Sequence, residues 1–206
     1  MYKRQILNGI ECEPFITADY RILIEHADEV IRGLKYFLKA SLANKGIIAI
    51  EDNKPRAIEL FNQLTADDPN ISVVVCPEKY PQGSERHLIY AVTGRVVPER
   101  ALPSAVGVIV DNVATAMQAA LAVKDDLPCY ERIVTVSGNA VHKPGNYRVR
   151  IGTLYSHLVE QGAQGLKNDP ARIISGGPMM GFSLHSLDFP VLKGTGGLLL
   201  FDHQSE

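Results

Sequence analysis

Between residues 26 and 123, short β-branched runs alternate with stretches of helical period, and most of the runs end in a polar cluster. Gly46-Ile47-Ile48-Ala49-Ile50 and Ile71-Ser72-Val73-Val74-Val75 read as buried strands, and residues 106–110 as a third. An earlier strand ends at Ile6-Leu7-Asn8-Gly9. In residues 26–42, Ala27, Val30, Ile31, Leu34, Phe37 and Leu38 recur at three- and four-residue spacing, which predicts a helix. Pro55 opens another, with Ile58, Leu60, Phe61 and Leu64 on its inner side. Residues 84–93 and 112–123 are predicted helices as well. Strand–helix alternation of this kind predicts an α/β unit, a parallel sheet covered by helices. In such open sheets ligands bind at the carboxyl ends of the strands. Attention therefore falls on residues 8–13, 51–53, 79–85 and 111–115.

After Leu127-Pro128 the pattern changes. Residues 132–137 alternate as a strand, Lys143-Pro144-Gly145-Asn146 reads as a turn, and residues 147–151 form the returning strand of a hairpin. A short helix over 153–161 carries Leu154, Leu158 and Val159, and strands follow at 172–175 and 194–201. This order predicts a small α+β module of β-grasp type. Two domains are expected, 1–127 and 128–206.

Composition narrows the function. Net charge is −2 over 206 residues, aromatic residues make up 7% and Trp is absent, so neither a basic patch nor a stacking platform for nucleic acid is expected. No apolar run reaches the length of a membrane span. Cys12, Cys76 and Cys129 lie far apart without a CxxC pair, which argues against a disulfide framework and against a self-contained four-thiolate iron–sulfur or zinc site. The six histidines are scattered without ligand spacing, and neither a Gly-x-Ser-x-Gly elbow nor a Walker loop occurs.

Three strand-end clusters carry the candidate chemistry. In Asn8-Gly9-Ile10-Glu11-Cys12-Glu13, an extended backbone points Glu11 and Glu13 the same way, so they are candidates to flank one ligand. The plainer alternative is two solvated glutamates beside a turn. In Tyr80-Pro81-Gln82-Gly83-Ser84-Glu85, a Gly-Ser step enters a helix whose free N–H groups suit an anion. Ser84 is equally a plain N-cap, and Tyr80 either faces a planar ring or packs. The cluster Asp111-Asn112-Val113-Ala114-Thr115 repeats the arrangement, with Asp111 or Asn112 as a helix cap or as a ligand contact. A fourth motif, Gly176-Gly177-Pro178-Met179-Met180-Gly181, reads as a tight turn with core methionines.

Taken together these motifs resemble the C subunit of the Rnf electron transport complex. The resemblance rests on residues 8–21 (from Asn8-Gly9-Ile10-Glu11-Cys12-Glu13-Pro14 to Tyr20-Arg21), on Ile50-Glu51-Asp52-Asn53-Lys54-Pro55 and on Lys79-Tyr80-Pro81-Gln82-Gly83. It continues through residues 88–95, 144–152 and 176–181. More distantly, the first domain is similar to the flavin-binding subunit of respiratory complex I. The resemblance implies a Rossmann-like, parallel-sheet FMN-binding domain followed by a β-grasp (SLBB) domain. It further implies a peripheral subunit on the cytoplasmic side of the membrane, which moves electrons between NAD(H), FMN and iron–sulfur clusters alongside the other subunits of an ion-translocating complex. Carried over by position, Asn8, Glu11 and Cys12, then Tyr80, Gly83, Ser84 and Glu85, then Val110, Asp111, Asn112 and Thr115 are the implied cofactor-contacting residues. Glu85 is also placed near the nicotinamide. No catalytic residue and no metal ligand is implied within this chain.

Two departures accompany the resemblance. The family's glycine-rich Gly-Gly-Ala-Gly-Phe-Pro loop and its cysteine-rich cluster motifs are absent from these 206 residues. The expectation is a middle fragment with an incomplete FMN site and no 4Fe-4S cluster of its own. Residues 1–5 fit the family pattern poorly. Two other readings compete: a cobalamin-reductase-type flavoprotein of a microcompartment, and a scaffold without activity that docks subunits through Met179, Met180 and the hairpin near Gly145.

Overall fold

The computed structural model describes residues 4–203. Of the first five residues, Arg4 and Gln5 belong to the first strand, and the other three lie outside the described residues. Two compact units are present. The first comprises Met1–Cys12 and Asp19–Pro128, the second Glu13–Ala18 and Cys129–Glu206. The assignment of Glu13–Ala18 to the second unit has no counterpart in the sequence reading.

The first unit is built on four parallel strands: β1 (Arg4–Gly9), β2 (Lys45–Glu51), β3 (Ile71–Cys76) and β4 (Val108–Asn112), in the order β3-β2-β1-β4. The helices are α1 (Ala18–Glu25), α2 (Ala27–Ser41), α3 (Pro55–Thr65), α4 (Glu85–Thr93) and α5 (Val113–Asp125). Register sorts the side chains by face, because paired residues of parallel strands point the same way. Ile6, Ile47, Ala49 and Val108 share one face with α4, packing with its Leu88 and Ile89. Leu7, Ile48 and Ile50 share the other, where the Leu34 side chain of α2 covers Gly46. Both faces are dry, which explains why β2 is a continuous apolar run rather than an alternating one.

Gly33 of α2 lies against Ala116 of α5, and a Cβ there would overlap the Ala116 backbone. The missing side chain is what lets these helices touch.

Helix α1 is absent from the sequence expectations, since Ala18–Glu25 precedes the periodic stretch by one break at His26. In α3 the inner face is Ala57, Phe61 and Thr65, while Leu64 is 42% exposed, so the expected inward stripe is rotated. The Thr65 hydroxyl satisfies itself on the Phe61 carbonyl at 2.7 Å, which lets a polar residue occupy the buried position.

The second unit carries β5 (Glu131–Ser137), β6 (Gly145–Arg150), β7 (Arg172–Ser175), β8 (Phe182–Leu184) and β9 (Gly197–Phe201) in the order β6-β5-β9-β7-β8. The pairing is mixed: β5 and β9 run parallel, and the other neighbours antiparallel. A short helix α6 (Tyr155–His157) continues as a π-helical turn over Leu158–Gly162. Val134, Val136, Tyr155, Leu158, Val159, Val191, Leu198 and Leu200 form the core, and Leu154 faces out. Strand β8 was not expected.

The Glu13–Ala18 segment is bound into this unit. The Thr17 N–H donates to Thr135 Oγ1 at 3.0 Å, and Asn146 Nδ2 donates to Thr17 Oγ1 at 2.9 Å. Phe15, with φ of 68°, stands edge-on to Phe201 with ring centroids 5.2 Å apart. Glu13 accepts from the Met179 and Met180 N–H groups at 2.8 and 3.0 Å, holding the Gly176–Gly181 turn. Those methionines are 55% and 72% exposed, not core residues as the sequence reading favoured.

Candidate functional site

At the carboxyl edge of the first sheet, Asn8 lies next to last in β1 on the α4 face. Its Nδ2 donates to the Gly83 carbonyl at 2.9 Å, and its Oδ1 accepts from the Ile10 N–H at 3.1 Å. The Gly83 N–H points at Cys12 Sγ, 3.4 Å away. A Cβ on Gly83 would stand 2.9 Å from the Ile10 carbonyl oxygen and 3.2 Å from the Cys12 sulfur. Glycine at this position is therefore explained by close approach. Asn8, Cys12 and Gly83, expected at one site, are brought together.

A second knot forms around Glu11. Its carboxylate accepts from the Asp19 and Tyr20 N–H groups at 2.9 and 3.2 Å, so it caps α1, a helix whose start lies several residues later in sequence. Burial and, after it, the neighbouring Asp19 carboxylate push the Glu11 carboxyl up to about 8. Asn112 Oδ1 caps α5 through the Ala114 N–H at 2.8 Å, while its Nδ2 donates to Asp19 Oδ2 at 2.6 Å. Asp19 thus joins two of the expected residues, Glu11 and Asn112, and was itself not foreseen. Lys54 sits 5.1 Å from the Tyr20 ring centroid and lowers the cost of ionising Glu11.

Glu11 and Glu13 do not act as the pair that the extended reading expected. Glu11 serves the first unit and Glu13 the turn in the second.

The loop from β3 to α4 ends in residues with open chemistry. Ser84 occupies the N-cap position with φ −63° and ψ 133°, but its side chain makes no capping hydrogen bond. The first N–H groups of α4 consequently lack the side-chain acceptor that a Ser N-cap ordinarily supplies. Tyr80, Ser84 and Glu85 are exposed. Thr115 is exposed in the first turn of α5, and Val110 is partly buried against the α4-side core.

Asp111 stands apart. It shares a face with Leu7, the opposite face from Asn8 and Asn112, and accepts from Gln5 Nε2 at 2.8 Å. Burial raises its pKa and the Gln5 amide lowers it.

Two further polar groups lie in this region without hydrogen-bond partners. Glu51, the last residue of β2, is 1% exposed and neither carboxylate oxygen has a partner within hydrogen-bonding geometry. The Glu11 backbone N–H comes near enough to favour its ionised form, yet burial prevails and raises the pKa. Gln82, 5% exposed, has an unpartnered Nε2. Glu51 was within the strand-end window 51–53, but nothing in its spacing marked it as buried.

Residues 2–121 match the family model described as the Nuo51 FMN-binding domain, more than half of the chain. The chain belongs to that family. Residues 133–183 of this Nuo51-type chain match the SLBB domain model. It is 45% identical over 194 residues to the C subunit of the proton-translocating ferredoxin:NAD(+) oxidoreductase complex of Clostridium ljungdahlii, covering 94% of this chain and 42% of that protein. It is 42% identical to the C subunit of the Na(+)-translocating ferredoxin:NAD(+) oxidoreductase complex of Acetobacterium woodii, covering 97% of this chain and 45% of the relative. The chain therefore spans less than half the length of these relatives. Their names bear out the Rnf resemblance read from the motifs. Among solved structures, a chain of NAD+-reducing [NiFe]-hydrogenase in the H2-reduced state matches with a TM-score of 0.77 at 20% identity, covering 98% of this chain and 40% of that one. That likeness bears on the fold alone.

Proposed function

We propose that this chain is the flavin-holding part of a subunit that passes electrons between NAD(H) and iron–sulfur clusters of an ion-translocating ferredoxin:NAD complex. The observation that carries the reading is the uncapped entry of α4, with Ser84 and Glu85 exposed next to the Asn8–Gly83 contact. The relatives' names and the matched family support it.

The residues present fit FMN. A flavin needs hydrogen-bond donors and acceptors at a dry rim, and the strand-end region supplies unclaimed ones in Ser84, Glu51 and Gln82. Bound there, FMN would supply two-electron acceptance from a nicotinamide and one-electron release to clusters. The chain's own residues position it. Asn8 fixes the Gly83 carbonyl and thereby the loop, Ser84 offers a hydroxyl and the α4 N–H groups beside it, and Glu85 orients the nicotinamide. Cys12 and Tyr80 wall the loop. Glu11 and Asn112 act through the helix starts they cap, with Val110 and Thr115 beside them. Asp111, on the opposite face and bonded to Gln5, is left out of the positioning set.

The partners proposed are NAD(H) and the other subunits of the complex, with peripheral attachment on the cytoplasmic side. Among the described residues no helix is long and apolar enough to cross a membrane. The 4Fe-4S clusters are assigned to parts of the full-length protein outside this chain.

Titration of the full-length protein with FMN, followed by flavin fluorescence, tests the reading. Saturable quenching by the wild type, weakened about tenfold by Ser84→Ala, is the expected result. Absence of saturable binding overturns it.

A further inference from the structure

Glu51 and Gln82 form the most costly unexplained feature of the first unit. A buried carboxyl and a buried amide N–H2 without hydrogen-bond partners each carry a desolvation penalty. Native interiors rarely leave such groups unpaired. Here two of them lie on segments that meet. Glu51 ends β2, where its neighbour Ile50 pairs with Gly9. Gln82 precedes Gly83, where a Cβ would stand 2.9 Å from the Ile10 carbonyl oxygen. Glu51 continues the series Ile47, Ala49 on the α4 face, the face of Asn8.

The charge of this corner restricts what can complete it. Asp52 and Glu78 act on Glu51 as like charges, and Lys54 is the opposing cation. A phosphate would be repelled here. A neutral group offering both an N–H and a C=O would satisfy a carboxyl and a primary amide together, the N–H donating to Glu51 and the C=O accepting from Gln82.

We propose that Glu51 and Gln82 recognise an amide edge of the bound redox ligand, with N–H beside C=O, and that they are held unpaired in the free protein for that purpose. The inference rests on the flavin reading above and assigns to it two residues outside the carried-over set. Two sources present this edge: the pyrimidine ring of a flavin and the carboxamide of a nicotinamide. The loop neighbours of Gln82, Lys79, Tyr80 and Pro81, are exposed.

The test compares ligands and variants by fluorescence titration. Riboflavin is set against 3-methylriboflavin, which lacks the ring N–H. NADH is set against its 3-acetylpyridine analogue, which lacks the carboxamide N–H2. The expected result is roughly tenfold tighter binding of the parent compound in one of these pairs, which identifies the source. Glu51→Met and Gln82→Leu should each erase that preference while raising the thermal midpoint of the free protein, because an unpaired buried polar group is removed. A purely structural Glu51 would instead lower the midpoint and leave the preference intact. Binding of riboflavin and NADH with no preference in either pair overturns this inference and leaves the flavin reading standing. Failure of the wild type to bind either parent compound overturns both.

Discussion

Asn8 Nδ2 donates to the Gly83 carbonyl across 75 residues of sequence, so the end of β1 and the entrance to α4 are one structural element. The same side chain turns back to accept from the Ile10 N–H. One amide thereby fixes both the first strand's exit and the loop that carries Tyr80, Ser84 and Glu85.

Replacing Asn8 by Ala removes both bonds and leaves the Gly83 carbonyl short of a donor. A loss of about 1–3 kcal/mol in unfolding free energy is expected. Asn8→Asp keeps the acceptor for Ile10 but turns a carboxylate oxygen on the Gly83 carbonyl, and should be no more stable than Asn8→Ala. Urea denaturation of the three proteins checks the order.

Glu11 predicts a pH dependence. Its folded-state pKa lies near 8, above the ordinary 4.5, so between these values the folded chain binds more protons than the unfolded one. Stability from this group is therefore greatest at the acid end of that window and declines as pH rises through it. Glu51 and Asp111, both raised by burial, push in the same direction. Thermal midpoints measured from pH 5 to 8.5 should fall, and Glu11→Gln should flatten the decline. A midpoint that climbs with pH across the window contradicts the assignment.

Gly33→Ala should be among the most damaging small substitutions. The added methyl meets the Ala116 backbone, and neither α2 nor α5 can yield without opening the core around Leu34 and Ala120. A cost of about 1–3 kcal/mol or more is expected from overpacking, read as a lower denaturation midpoint with an unchanged slope.

Thr17→Val should destabilise the second unit. The substitution removes the hydroxyl that accepts from Asn146 Nδ2 while Thr135 still bonds Asn146 at 2.7 Å. About 1 kcal/mol is expected. Hydrogen exchange should show faster opening of β5 and β6 and little change in β1 to β4.

The alternation of apolar strands and amphipathic helices was legible because both faces of the first sheet are covered, which leaves continuous β-branched runs. The strand-end positions of Asn8, Gly83 and Asn112 followed from that pattern. Their partners did not. Glu11 caps a helix that begins at Ala18, and no local signature reveals a cap supplied from so far upstream. Strand alternation put Glu11 and Glu13 on one side, but the chain leaves extended conformation after Gly9, so their carboxylates serve different units. Asp111 and Asn112 are adjacent in sequence and opposed across the sheet, which only the register with β1 decides. The burial of Glu51 is likewise tertiary: an acid after five apolar residues ordinarily marks the solvent edge of a strand, and here the edge is covered.

The passage of Glu13–Ala18 into the second unit has a consequence for how this gene can change. The first unit is interrupted by six residues that the second one needs, including Thr17 and the Glu13 carboxylate. One recombination junction near codon 128 would transplant a β-grasp module without its Glu13–Ala18 hexapeptide. Exchange between relatives must then move both stretches together or select compensating changes on the recipient's own hexapeptide, and so lineages that mix these modules freely should be rare.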